Sequence, residues 1–169
     1  MAITLDGTNG VTTPAILNAN GNGVGNIGTS ISYFNTMFAK ATSAQYADLA
    51  ENYSGDASYP PGTVVKFGGV NEVTICNQAN DPTIAGVVTT EPAHKMNSGL
   101  VANHVVTIAL CGRVPCLVQG PVTKGDMMVS AGEGRARAEK SPAAGTIIGK
   151  AIENFDGNTG VIEVAVGRL

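Results

Sequence analysis

The sequence predicts an all-β protein: an extended N-terminal arm or shaft, then a compact β-sandwich or small barrel, with burial shared between identical copies. Three observations point there. From Gly62 onward, short apolar runs recur about every ten residues between clusters of Gly, Pro, Asn and Asp, the pattern of a sandwich or barrel. From Gly7 to Ala39 there is no charged side chain, yet apolar residues keep recurring. Only 14% of the 169 residues are charged and 5% aromatic, against 22 glycines. Such a composition suits turns and burial between subunits better than a compact enzyme.

Residues 1–42 form the predicted arm. Ile3, Leu5, Val11, Ile16, Leu17, Val24, Ile27, Ile31 and Phe34 are too sparse to build a core within one chain, and a polar linker would lack them. Identical copies wrapped around one another would share the burial. Residues 43–58 read as a short neck helix and linker. Ser43 can cap a helix in which Tyr46, Leu49, Ala50 and Tyr53 recur at i, i+3, i+4 and i+7. Tyr59-Pro60-Pro61-Gly62 then forbids its continuation. Residues 59–169 form the predicted β domain. Its strands are expected at 63–67, 72–76, 83–88, 104–111, 114–118, 126–129, 135–138, 146–152 and 161–166, between turns such as Gly68-Gly69, Asn80-Asp81-Pro82 and Asp156-Gly157-Asn158.

Charge and cysteine content exclude several classes. A net charge of −3 argues against general nucleic-acid affinity, which normally needs a basic stripe. No apolar run approaches the ~18 residues of a membrane span, and the opening MAITLDGTNG lacks the basic and hydrophobic regions of a signal peptide. Three cysteines, an odd number, suggest reduced thiols and assembly in a cytoplasm.

The remaining motifs favour plain readings. Gly23-Val-Gly25-Asn-Ile-Gly28 matches a dinucleotide fingerprint, but β-branched and aromatic residues follow it and no βαβ pattern surrounds it. Cys111 and Cys116 are not spaced as CxxC; Cys76, His94 and His104 could complete a ligand set on paper, but both cysteines fall in predicted strands, where a free cysteine behaves as a small buried hydrophobe. His94 belongs to a loop and His104 to a strand end. Ser98, Ser130 and Cys111 lack the surroundings of a nucleophile, such as a GxSxG elbow. Arg113, Lys124, Arg135, Arg137, Lys140 and Lys150 alternate with Asp126, Glu133 and Glu139, which reads as a solvated face of mixed charge. An enzyme acting on surface glycan would need carboxylates beside stacking aromatics. Beyond Phe67 the only aromatic is Phe155.

The stretch from Gly25 to Glu51, GNIGTSISYFNTMFAKATSAQYADLAE, resembles a segment of the tail-fibre and virion-appendage proteins of tailed, cyanophage-like bacteriophages. There it ends a trimeric β-rich shaft and leads into a C-terminal head. The opening ITLDGTNGVTTP is similar to the virion-proximal start of such chains. YPPGTVVKFGG, IAGVVTTEP, GRVPC, GPVTKGDMMV and GTIIGKAIE resemble a small β-domain recurring in phage structural proteins, including β-clip-like decoration proteins. In the turn Pro121-Val-Thr-Lys-Gly-Asp126, Gly125 would supply the unusual dihedral.

The resemblance implies a non-enzymatic virion structural protein, a short trimeric tail or baseplate fibre. Its arm would dock on other virion proteins, and its β heads would be available for host-surface glycan. A trimeric capsid decoration or cement protein is the alternative. Phe34, Phe38, Tyr46, Leu49 and Tyr53 are the expected trimer and neck packing residues. No cofactor, metal, catalytic residue, nucleic-acid partner or membrane insertion is expected, and the chain would be assembled in the host cytoplasm.

Overall fold

The computed structural model describes residues 15, 27–29, 31–36 and 43–167. The chain divides into two compact units, Met1–Ala41 and Thr42–Leu169. In the first, Thr29 and Ser32 exchange backbone hydrogen bonds of 2.8 and 3.3 Å across a tight turn.

Among its described residues the second unit contains ten strands and no helix. They are β1 (Asp48–Ser54), β2 (Val64–Phe67), β3 (Val73–Ile75), β4 (Ile84–Val88), β5 (His94–Met96), β6 (Val105–Gln119), β7 (Met127–Gly132), β8 (Arg135–Glu139), β9 (Ile147–Ala151) and β10 (Thr159–Val166). Five of them close on themselves in the order β6-β8-β7-β9-β10-β6, a small barrel without a free edge. Pairing around the ring is antiparallel except between β6 and β8. Valines and other β-branched or small residues fill the unit: Val114, Cys116, Val118, Met128, Ile148 and Val164 belong to the larger core cluster. Each fully buried aliphatic side chain stabilises the fold by roughly 1.5–3 kcal/mol.

β6 is the spine. β1 pairs with it from Val105 to Gly112, and β10 pairs with it from Gly112 to Gln119. β4 joins at Ile108 and Ala109 and leads through β2 to β3. Beneath this extension Val65, Val73, Val106 and Ile108 form a second core cluster, with Tyr53 and Tyr59 packed against it. The register shift opposite Leu49 and Ala50 leaves Leu110 without a partner in β1. A bulge of this kind re-aims the strand's side chains.

Several expectations require correction. The predicted helix is strand β1. Its burial alternates with period two, Asp48, Ala50 and Asn52 being buried while Leu49 is exposed. Because the inward positions carry Asp, Ala and Asn, the strand's binary pattern is concealed and the helical spacing of Tyr46, Leu49 and Tyr53 is accidental. Secondly, the expected strands at 104–111 and 114–118 are one continuous strand. Thirdly, Cys111 is exposed, whereas Cys76 and Cys116 are buried. In addition, β5 forms where His94 was expected in a loop, and β7 runs to Gly132, three residues past its expected end; the other strands lie within one or two residues of their expected bounds, and Gly125 adopts φ +95° as its turn requires.

Candidate functional site

Two features stand out among the described residues. The first is apolar and lies in the Met1–Ala41 unit. Ile27, Ile31, Tyr33 and Phe34 are all exposed, Ile31 at 93% and Phe34 at 69% of full exposure. They fall in a stretch with no charged neighbour between Gly7 and Ala39. Single exposed apolar residues are ordinary, but four within eight positions need a covering surface.

The second is a polar cleft of about 420 Å³ in the Thr42–Leu169 unit, where β1 begins beside β6. Tyr46 and Asp48 come from the entry to β1, Thr89 and Glu91 from the link between β4 and β5, Arg113 from β6 and Glu163 from β10. Backbone hydrogen bonds hold these walls. The Ala93 N–H donates to the Asp48 carbonyl at 2.8 Å, and the Arg113 N–H donates to the Ala47 carbonyl at 3.3 Å. Glu163 is fixed from behind, its N–H donating to Glu153 Oε2 at 3.1 Å and its carbonyl accepting the Ile152 N–H at 3.1 Å.

The electrostatics of the cleft are lopsided. Three carboxylates, Asp48, Glu91 and Glu163, line it against the single guanidinium of Arg113. The negative charge of Glu91, with a hydrogen bond to the Tyr46 hydroxyl and some desolvation, raises the Tyr46 phenol above its ordinary pKa. Asp48 is 5% exposed, and no donor among the described residues reaches its buried Oδ2. A buried carboxylate oxygen without a donor costs free energy until one arrives.

The residues expected to pack a trimeric neck do not share one element. Tyr46 precedes β1 in the cleft wall and is 42% exposed; Leu49 points outward from β1 at 38%. Tyr53 packs on the second core cluster and meets Phe67 edge-to-face, with ring centroids 5.7 Å apart. Phe34 is exposed, and Phe38 lies outside the described residues. Gly23 and Gly25 of the GxGxxG match also lie outside them.

The chemical candidates are dispersed. His94 is exposed on β5, and His104 precedes β6 with Nδ1 3.1 Å from Ser58 Oγ. Burial pushes the Cys116 thiol up to about 12, which keeps it protonated and inert. No cluster of three or more His, Cys, Asp or Glu able to hold a metal occurs among the described residues. The cleft itself escaped the sequence reading, because its walls come from four separated segments. The one local signal was Asp48, a charged residue in phase with Ala50 and Asn52, and it shows only once β1 is read as a strand.

No protein-family model matches the chain, and no curated protein matches it. Among solved structures the chain is similar to the N base of the head fibre gp8.5 of bacteriophage phi29. The likeness has 12% sequence identity and a TM-score of 0.44, over 71% of this chain and 94% of that one.

Proposed function

We propose that the chain is a non-enzymatic structural component of a phage virion, a short trimeric fibre of the tail or baseplate. The observation that carries this reading is the row of exposed apolar side chains, Ile27, Ile31, Tyr33 and Phe34, in an arm segment without charge. Three copies wound together would cover those side chains. The resemblance of residues 25–51 to the end of a phage fibre shaft supports the same reading. The first unit then attaches to other virion proteins, and the barrel-bearing unit is presented outward. Repetition of a weakly binding head gives avidity towards a host-surface glycan.

Locating the chain by electron cryomicroscopy of the intact particle tests the proposal. Three copies of the barrel on the tail or baseplate are the expected result. Density for the barrel on the capsid shell would replace the fibre with a decoration protein. Its absence from the particle would overturn both.

A further inference from the structure

The cleft between the entry to β1 and strands β6 and β10 has a polarity that the structural role leaves unused. We propose that it is a binding site for a compact organic cation, an ammonium or guanidinium group, with Asp48 as its principal acceptor. The argument starts from the demand of the site. Asp48 is nine-tenths buried or more and lines the cleft, and its Oδ2 receives no hydrogen bond from the described residues. What completes it must be a donor.

The surroundings choose between kinds of donor. With Glu91 and Glu163 also lining the cleft, negative groups outnumber the positive Arg113 by three to one. Arg113 forms no ion pair within the described residues, so these carboxylates are not already neutralised by it. A neutral hydroxyl would satisfy Asp48 but leave the excess charge; a cation answers both, through the stronger charge-assisted bond. The raised phenol of Tyr46 stays uncharged at neutral pH, so its ring adds an aromatic wall, a surface that attracts organic cations. Thr89 supplies a further polar edge.

Isothermal calorimetry on the full chain tests this with agmatine, which carries both cationic groups, and with methyl α-glucoside as the neutral probe. Agmatine binds saturably in the millimolar range or tighter, and Asp48→Asn weakens it about tenfold or more, the worth of a charge-assisted hydrogen bond. Because Asp48→Asn changes a buried group, Arg113→Ala provides an independent, exposed variant. Removal of a like charge tightens agmatine severalfold, whereas a hydroxyl ligand using Arg113 as donor would bind more weakly. No saturable heat with agmatine, tighter binding of the glucoside, or unchanged agmatine affinity in both variants each overturns the proposal. The test concerns the Thr42–Leu169 unit alone, and its result is independent of where the chain sits in a particle.

Discussion

Asp81 shows how one side chain ties three parts of the barrel unit together. It is buried; its Oδ1 accepts from the Thr83 hydroxyl at 2.6 Å and the Thr83 N–H at 2.9 Å, and its Oδ2 accepts from Lys66 Nζ at 3.0 Å. The Asp81 N–H donates to Ser130 Oγ on β7 at 2.9 Å. Burial by itself would raise the carboxyl, but Thr83 and then Lys66 outweigh it and hold it below its ordinary pKa. The same bond raises Lys66. A carboxyl depressed in the folded state contributes stability that is complete above the unfolded value of about 3.9 and lost as pH falls through the lower folded value. Asp81→Asn removes the charge while preserving shape, and should cost about 1–3 kcal/mol at neutral pH. Urea midpoints for both proteins at pH 7 and near pH 3 check it: the gap should narrow on acidification. A gap of equal size at both values would mean that Asp81 acts by packing alone. Asp56, Glu72 and Glu139 are depressed by hydrogen bonds first from Asn71, Ser54 and Arg137 respectively, so both proteins share a broader loss of stability in acid.

At the scale of the element, β6 explains both what the sequence disclosed and what it hid. Gly112-Arg113 separated two expected strands, since glycine weakens a strand interior, while Pro115 fell inside the second of them although proline is disfavoured within sheets. Proline is tolerated at 115 because Glu163, its partner on β10, sends its backbone bonds elsewhere, to Glu153 and Ile152. Gly112 is needed because β1 and β10 both reach it, pairing through Asp48 and Val166. With φ at +113°, a Cβ there would collide with the Ala47 carbonyl oxygen and sit 2.7 Å from Asp48 Cα. Both residues are thus consequences of a tertiary crossing, which no local pattern contains. β10 was legible because its alternation faces a core, and β2 and β4 because their valines form short unbroken apolar runs that the core buries. β1 was not, since its inward side carries Asp48, Ala50 and Asn52, and β5 is three residues without an apolar rhythm. The cleft inherits both difficulties, being built on the strand expected as a helix and on the junction where one strand was expected as two. Gly112→Val should therefore cost about 3 kcal/mol or more through strain and collision. Gly99→Ala, where an added Cβ meets nothing within 4 Å, should stay within about 0.5 kcal/mol. Chemical denaturation of the two variants distinguishes them, and equal midpoints would show that the β1–β10 junction yields to the added side chain.

For the whole molecule, the decisive asymmetry lies between its two units. The Thr42–Leu169 unit owns two core clusters and a closed ring of strands, so it has a core of its own. In the Met1–Ala41 unit Ile27, Ile31, Tyr33 and Phe34 stay exposed, and the sequence supplies no charge between Gly7 and Ala39 to keep that surface solvated. Covering each such side chain is worth roughly 1.5–3 kcal/mol, and a three-fold assembly gains it three times over. Assembly should therefore reside in the arm and folding in the barrel. Sedimentation of the full chain is expected at three times 17.1 kDa, while a chain of residues 42–169 is expected to be a folded monomer. Ile31→Ser combined with Phe34→Ser should shift the full chain towards monomer without changing the thermal unfolding of the barrel. A trimer that survives loss of the arm would put the contacts on the barrel faces and leave the arm's apolar row for a virion partner alone. A full-length monomer with those four side chains still exposed would remove the trimer altogether, since the arm would then need no copy of itself.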